Sequence, residues 1–126
     1  MQKEDGNHMD ILKVVTMTED KVESIVQKEC LSILSRYNIF HWRQNSGGIF
    51  VHGHYYKITS VKGVSDIIGI LPDGRFMAIE VKRSKGGRVS DDQKEFLSAI
   101  EQNHGIALVI NDSKILEEKL KELLNR

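Results

Sequence analysis

The sequence predicts an α/β sandwich in which a mixed β-sheet is flanked by helices. A helical apolar stripe near the N-terminus precedes several short segments of strand-like alternation. A capped helix then separates these strands from a final apolar strand, and an amphipathic helix over residues 113–125 closes the chain. Because the last strand follows a helical crossover, we expect it to lie parallel to the strand before that crossover.

The first predicted helix carries an unexpected acid. Thr18 is a suitable N-cap, and the helix is expected to run to about Tyr37. Glu23 falls within its apolar stripe, where a carboxylate is costly unless it is paired or bound to a metal. The alternative is that Glu23 lies at the stripe edge and reaches solvent. The stripe consists of Val22, Val26, Cys30, Ile33, Leu34 and Tyr37.

The middle of the chain predicts five strands. Residues 38–44 form the first, and residues 49–58 are typical of a hairpin with a glycine-centred turn. Residues 64–71 and 75–82 predict two further strands that are joined by a tight turn.

The C-terminal part predicts a helix and a strand. Ser90 is expected to cap a helix that runs to about Asn103 and ends at His104-Gly105. The apolar run at residues 106–111 is expected to form a strand that is buried on both faces.

Length and composition indicate one compact domain. The chain has 126 residues, of which 40% are hydrophobic and 29% charged, as in ordinary globular proteins. It contains no apolar run of the ~18 residues that a membrane span needs. A single cysteine excludes an intramolecular disulfide and a cysteine-based zinc site. We expect a cytoplasmic protein with a flexible tail at residues 1–16 and a single domain at residues 17–126.

Positive charge is concentrated in the middle of the chain. The net charge is zero, yet residues 30–90 contain nine Lys or Arg and only three Asp or Glu. Such a surplus indicates an anionic partner. An ordinary solvated surface is the alternative that charge alone does not exclude.

The length of the turn between residues 64–71 and 75–82 determines whether Asp66 and Glu80 lie on the same face of the sheet. A two-residue loop would direct Asp66 and Glu80 to opposite sheet faces, because side chains alternate along a strand. A three-residue loop, Pro72-Asp73-Gly74, places Asp66 directly opposite Glu80. The second option suits the sequence, since Pro and Gly occupy the positions that a type I turn followed by a left-handed residue prefers.

Two facing carboxylates need a cation between them. Lys82 lies two residues beyond Glu80 and therefore on the same face. Carboxylate oxygens favour hard cations such as Mg²⁺ or Mn²⁺. The alternative is a surface ion pair between Glu80 and Lys82. Gln93 lies on the inward face of its helix, where a site role and a capping box with Ser90 both remain open.

These residues resemble a known nuclease signature. Asp66, thirteen further residues and then Glu80-Val81-Lys82 resemble the motif of the PD-(D/E)XK nuclease superfamily. The stretches "GVSDIIGILPDGRFMAIEVKR" and "GRVSDDQKEFLSAIEQNHGIALVI" resemble the small stand-alone form of the VRR nuclease domain. The resemblance covers about residues 18–112. It implies a restriction-endonuclease-like sandwich with core order α-β-β-β-α-β.

The resemblance also implies roles for individual residues. Asp66, Glu80 and the backbone carbonyl of Val81 would bind Mg²⁺ or Mn²⁺, and Lys82 would be the catalytic lysine. Gln93 and Glu23 would complete the catalytic set. Many family members have proline where this chain has Ser65, a position that carries no catalytic group.

The function implied is that of a divalent-metal-dependent DNA endonuclease that acts on branched DNA as a homodimer and leaves 5′-phosphate ends. A non-catalytic DNA-binding module and a nuclease acting on other DNA or RNA structures are the alternatives. Trp42, Tyr55 and Tyr56 are candidates for stacking on unpaired bases, or else core and cross-strand packing residues. Candidate phosphate contacts are Arg43, Asn45, Ser46, Lys62, Arg83, Lys85 and Arg88.

Overall fold

A computed structural model describes residues 20–44, 48–57 and 61–125. Its helices are α1 (Glu23–Arg36), α2 (Asp91–Gln102) and α3 (Ser113–Leu124). Its strands are β1 (Phe40–Arg43), β2 (Gly48–Val51), β3 (His54–Lys57), β4 (Ile67–Ile70), β5 (Phe76–Val81) and β6 (Ile106–Ile110). None of these three helices is long and apolar enough to cross a membrane.

Four of the strands form one mixed sheet in the order β1-β4-β5-β6, and β2 and β3 form a separate two-stranded sheet. β5 and β6 run parallel, whereas β1–β4, β4–β5 and β2–β3 are antiparallel. The predicted fold class is confirmed, because a mixed sheet flanked by helices is compatible with a restriction-endonuclease-like sandwich. The predicted parallel arrangement of the last strand is confirmed with it.

Strand alternation gives the sheet two apolar faces, and each is covered by helices. Helices α1 and α3 pack on one face, which the odd-numbered residues of β4 and β5 line; its fully buried members include Val26, Cys30, Ile67, Ile79, Leu116 and Leu120. Helix α2 packs on the other face, on Ile68, Ala78 and Leu97. Burial raises the pKa of the Cys30 thiol to about 12, in keeping with the thiol of a core residue.

Helix α1 begins at Glu23, so the predicted start at Thr18 is wrong. Thr18 and the predicted tail at residues 1–16 lie outside the described residues. The Lys21 N–H donates to Ser84 Oγ at 2.7 Å, and the Lys21 carbonyl accepts from the Ser84 N–H at 3.0 Å. These hydrogen bonds hold residues 20–22 against the loop after β5, so a distant partner overrides the local capping pattern.

Strand β6 is not buried on both faces as expected, because it forms an edge of the sheet. Its residue Val109 is 46% exposed, whereas Ile110 is buried against α1 and α3. The preceding helix ends where predicted, with His104 in the left-handed conformation.

Two glycines in left-handed turns offer a matched test of packing. A Cβ at Gly63 would lie 2.2 Å from the Asp92 carbonyl oxygen, whereas a Cβ at Gly74 would contact nothing within 4 Å. Both positions have positive φ, so alanine costs about 1–2 kcal/mol at each. Only at Gly63 does the substitution also force the backbone away from α2.

We therefore expect Gly63→Ala to lower the free energy of unfolding by at least ~2 kcal/mol more than Gly74→Ala, as measured by urea denaturation. Equal losses would contradict the close packing of residues 61–63 on the first turn of α2.

Candidate active site

The turn between β4 and β5 has the three-residue form that the sequence predicts. The Leu71 N–H donates to the Arg75 carbonyl at 2.9 Å, and the Gly74 N–H donates to the Leu71 carbonyl at 2.8 Å. Gly74 takes the left-handed conformation that ends such a loop. The two-residue alternative is thereby excluded.

The resulting register brings two carboxylates together. The β4–β5 ladder pairs Ile67 with Ile79, so the next pair outward is Asp66 with Glu80. Asp66 Oδ2 accepts a hydrogen bond from the Val81 N–H at 2.7 Å. The Asp66 side chain is therefore anchored at the end of β5.

Glu80 is the most unusual residue of the site, because its side chain is only 2% exposed. Its Oε2 accepts from Gln93 Nε2 at 2.9 Å and lies 3.7 Å from Lys82 Nζ. Its buried Oε1 has no hydrogen-bond partner among the described residues. Burial, and then the charge and hydrogen bonding of Asp66, raise the pKa of Glu80 to about 8; Lys82 acts against this rise and Glu23 adds to it.

Gln93 connects the carboxylate to both the lysine and the helix. Gln93 Oε1 accepts from Lys82 Nζ at 3.0 Å and from the Ser90 N–H at 2.8 Å. Ser90 Oγ in turn accepts from the Gln93 N–H at 3.2 Å, which completes a capping box at the start of α2. The capping box is therefore confirmed, and the same side chain also contacts Glu80 and Lys82.

Lys82 is held at its backbone and along its stem. Its N–H donates to the Ile110 carbonyl at 2.9 Å, so the parallel pairing with β6 continues to this residue. A Cβ at Gly87 would lie 2.8 Å from Lys82 Cβ, so the returning loop packs directly on the stem. The Lys82 side chain is only 13% exposed, and its Nζ lies 3.0 Å from Gln93 Oε1 and 3.7 Å from Glu80 Oε2.

Glu23 is exposed, so the expectation that it lies on a buried face is wrong. The cause is the late start of α1, since Val22 precedes the helix and is itself exposed. The alternative, a position at the stripe edge, is the correct one. Glu23 still lies close enough for its charge to raise the pKa of Glu80.

The candidate phosphate contacts around the site differ in their surroundings. Lys62, Lys85 and Arg88 are exposed. Arg83 is exposed too, but it forms an ion pair with Asp20 at 3.2 Å. Three of these residues, Arg83, Lys85 and Arg88, follow Lys82 on the loop that returns to α2.

Arg43 ends the edge strand β1 opposite Ile67, on the sheet face away from the paired carboxylates. The structure therefore places it beside the site without directing it to the same face. Asn45 and Ser46 lie outside the described residues. Trp42, one position earlier, shares the face of the carboxylates and is partly exposed.

One contact beside the site joins residues that are far apart in the sequence, so no local sequence pattern predicts it. Ser84 Oγ donates to Asp20 Oδ1 at 2.7 Å and accepts from the Lys21 N–H, across 63 positions of sequence. This contact ties the start of α1 to the loop after Lys82, and so sets the distance of Glu23 from the site. Gly87 was also missed, although a glycine pair in a basic loop is a signal of close backbone approach.

The region that contains this site also matches a known protein family. The family model of the VRR-NUC domain matches residues 54–113. The resemblance to the VRR-NUC domain is confirmed over this range. This is a nuclease domain, which implies phosphodiester hydrolysis with DNA as the partner. The matched range includes Asp66, Glu80, Lys82 and Gln93 but not Glu23, and no curated protein and no solved structure matches the chain.

The raised pKa of Glu80 predicts a stability that falls as pH rises. An ordinary glutamate in the unfolded chain titrates near 4.5 and Glu80 in the folded chain at about 8. Between these values the folded state keeps a proton that the unfolded state has lost. Without metal, the free energy of unfolding should fall through this window by up to a few kcal/mol.

Glu80→Gln should weaken this dependence and should be more stable than the wild type near pH 9, as measured by urea denaturation in EDTA between about pH 5 and pH 9. The exposed Glu118→Gln serves as the control and should follow the wild type. Parallel curves for wild type and Glu80→Gln would contradict the prediction.

Proposed function

We propose that this protein is a divalent-metal-dependent DNA endonuclease that hydrolyses phosphodiester bonds in branched DNA and leaves 5′-phosphate ends. The observation that carries the proposal is the buried Glu80 carboxylate, which has one free oxygen and lies beside Asp66, Lys82 and Gln93. A buried carboxylate with an unpartnered oxygen is unfavourable for folding alone and is typical of a functional site.

The donor chemistry fits Mg²⁺ or Mn²⁺. Glu80 Oε1 is buried and unpartnered, and the Asp66 carboxylate is close enough to raise the Glu80 pKa. A cation between them would remove both the repulsion and the unpaired oxygen. No group of three or more His, Cys, Asp or Glu side chains suited to a metal occurs among the described residues. By the resemblance to the PD-(D/E)XK nucleases, the ion would be held by Asp66, Glu80 and the Val81 carbonyl.

When bound, such an ion would lower the pKa of a water ligand and stabilise negative charge on a phosphate. The side chains around it have complementary tasks. Lys82 donates to Gln93 Oε1, and its further N–H groups are available to orient a water or to contact a phosphate oxygen. Gln93 fixes the positions of both Lys82 and Glu80. Glu23, at the exposed start of α1, would complete the set, and its charge lies close enough to raise the pKa of Glu80.

The basic loop after Lys82 supports binding of the DNA backbone. Lys85 and Arg88 are exposed on this loop and suit phosphate contacts, which position a duplex without reading its sequence. As a homodimer, the protein would present two such sites at a fixed separation, which suits paired cuts at a four-way junction.

Lys82→Ala and Asp66→Asn should each lower the cleavage rate by at least ~100-fold, because they remove charge from the reacting centre. The exposed Lys94→Ala on α2 is the matched control and should cleave at the wild-type rate. The assay uses a four-way junction, a flap, a duplex and a single strand, each with Mg²⁺ and with Mn²⁺.

If Lys82→Ala cleaved these substrates at the wild-type rate, the assignment of the active site would be wrong. Salt-sensitive DNA binding without cleavage in either metal would favour a non-catalytic module on the same fold. Cleavage of matched RNA substrates alone would identify an RNA nuclease.

The two roles of Gln93 can be separated by mutation. Ser90→Ala removes the hydroxyl half of the capping box, whereas Gln93→Ala removes the amide half together with the contacts to Glu80 and Lys82. Each should lower the free energy of unfolding by about 1 kcal/mol. Only Gln93→Ala should also lower the cleavage rate, by ~10-fold or more. If both variants lost cleavage equally, Gln93 would act through the helix cap alone.

A further inference from the structure

The β2–β3 hairpin, residues 48–57, is a two-stranded sheet of its own, and we call it the ribbon. Phe50 and Tyr55 face each other on one side and are 75% and 53% exposed. Ile49 and Tyr56 form the corresponding pair on the other side and are also exposed. Among the described residues, then, neither face of the ribbon is covered.

The ribbon is well formed despite this exposure. His52 and Gly53 both have positive φ, which gives the type I′ turn that suits a two-residue hairpin loop. The rings of Phe50 and Tyr55 meet edge to face with centroids 5.2 Å apart. A lone two-stranded hairpin is nevertheless only marginally stable in water. Its large exposed rings therefore indicate a binding partner.

The nearest described residues on both sides of the ribbon, apart from the ribbon itself, lie beside the active site. On its N-terminal side, the Gln44 N–H donates to the Asp66 carbonyl at 2.7 Å. On its C-terminal side, Gly63 lies against the backbone of Asp92 and Gln93. DNA held at the carboxylates would consequently lie next to both ends of the ribbon.

The charge of the segment around the ribbon favours a polyanion over a second copy of the chain as the binding partner. Residues 43–65 contain Arg43, Lys57 and Lys62 and no Asp or Glu. A second ribbon from another copy would bring like charge to like charge, whereas a polyanion is complementary. Exposed rings in a basic segment without acids are the combination by which proteins hold unpaired bases.

We propose that the Phe50–Tyr55 face of the ribbon stacks on unpaired bases of branched or locally opened DNA. The inference rests on the proposed function in one respect, that DNA occupies the adjoining site. In a continuous duplex the bases stack on one another, so this face distinguishes opened DNA from paired DNA. The pairing of the two rings across the strands does not compete with stacking, because both remain exposed.

The test replaces each ring with a side chain that keeps apolar bulk but has no π-face. Phe50→Leu and Tyr55→Leu are compared with Tyr56→Leu. Tyr56 was also a stacking candidate from the sequence, but it lies on the opposite face across from Ile49 and not from a second ring, so it serves as the matched control. Binding is measured in EDTA, where cleavage is suppressed, to a duplex with a central bubble of unpaired thymines and to a fully paired duplex of equal length. Circular dichroism melting checks that each variant folds.

Phe50→Leu and Tyr55→Leu should each weaken binding to the bubble by ~5-fold or more, while binding to the paired duplex changes less than ~2-fold. Tyr56→Leu should leave both affinities within ~2-fold of the wild type. Equal losses on bubble and duplex would overturn the proposal, as would an equal effect of Tyr56→Leu. A wild-type dimer in sedimentation that Phe50→Ala dissociates, with bubble affinity unchanged, would assign the ribbon to contact between copies instead.

Failure of this inference and failure of the proposed function give different results. If the ribbon variants bind the bubble normally while Lys82→Ala abolishes cleavage, only the inference fails. If ring-dependent binding persists but the wild type cuts nothing in either metal, the nuclease assignment fails and the ribbon keeps its role.

Discussion

The pairing of β4 with β5 is the constraint on which the whole site depends. Its three-residue turn sets a register in which Asp66 lies opposite Glu80, and a shift by one residue would direct the two carboxylates to opposite faces. β5 lies between β4 and β6, and the Glu80 side chain is only 2% exposed. The charge of Glu80 is thus unfavourable there, which is why its pKa rises.

The burial of the Glu80 charge is unfavourable in the folded protein, and a bound cation would offset this cost. The same burial that raises the pKa of Glu80 excludes water from its free oxygen, and so strengthens any interaction with a divalent ion. Gln93 makes the arrangement rigid, because it joins the carboxylate, the lysine and the cap of α2 in one set of hydrogen bonds. The helix that covers the second core face thereby also positions the reacting groups.

The sequence alone predicts those features of the structure that depend on residues close together in the chain. Pro72 and Gly74 determine the turn, the turn determines the register, and the register places Asp66 against Glu80. It does not predict the features that depend on contacts between residues far apart in the chain. The start of α1 depends on Ser84, 63 positions from Lys21, so Glu23 was expected on a buried face. The exposure of Val109 likewise depends on strand order, which the apolar run at residues 106–111 does not encode.

The chemistry of the site also limits what the site can select. In the proposed function, two carboxylates, a lysine and a backbone carbonyl would act on a phosphodiester group, and this group is the same in every DNA structure. Any preference for branched DNA must therefore come from surfaces outside the site. The ribbon is attached beside Asp66 at one end and beside Gln93 at the other, so contact with its rings would hold an opened strand next to the carboxylates. One element, the ribbon, would then select the substrate, and another, the carboxylate site, would cleave the bond. A mutation in the ribbon could therefore change the substrate preference without abolishing cleavage.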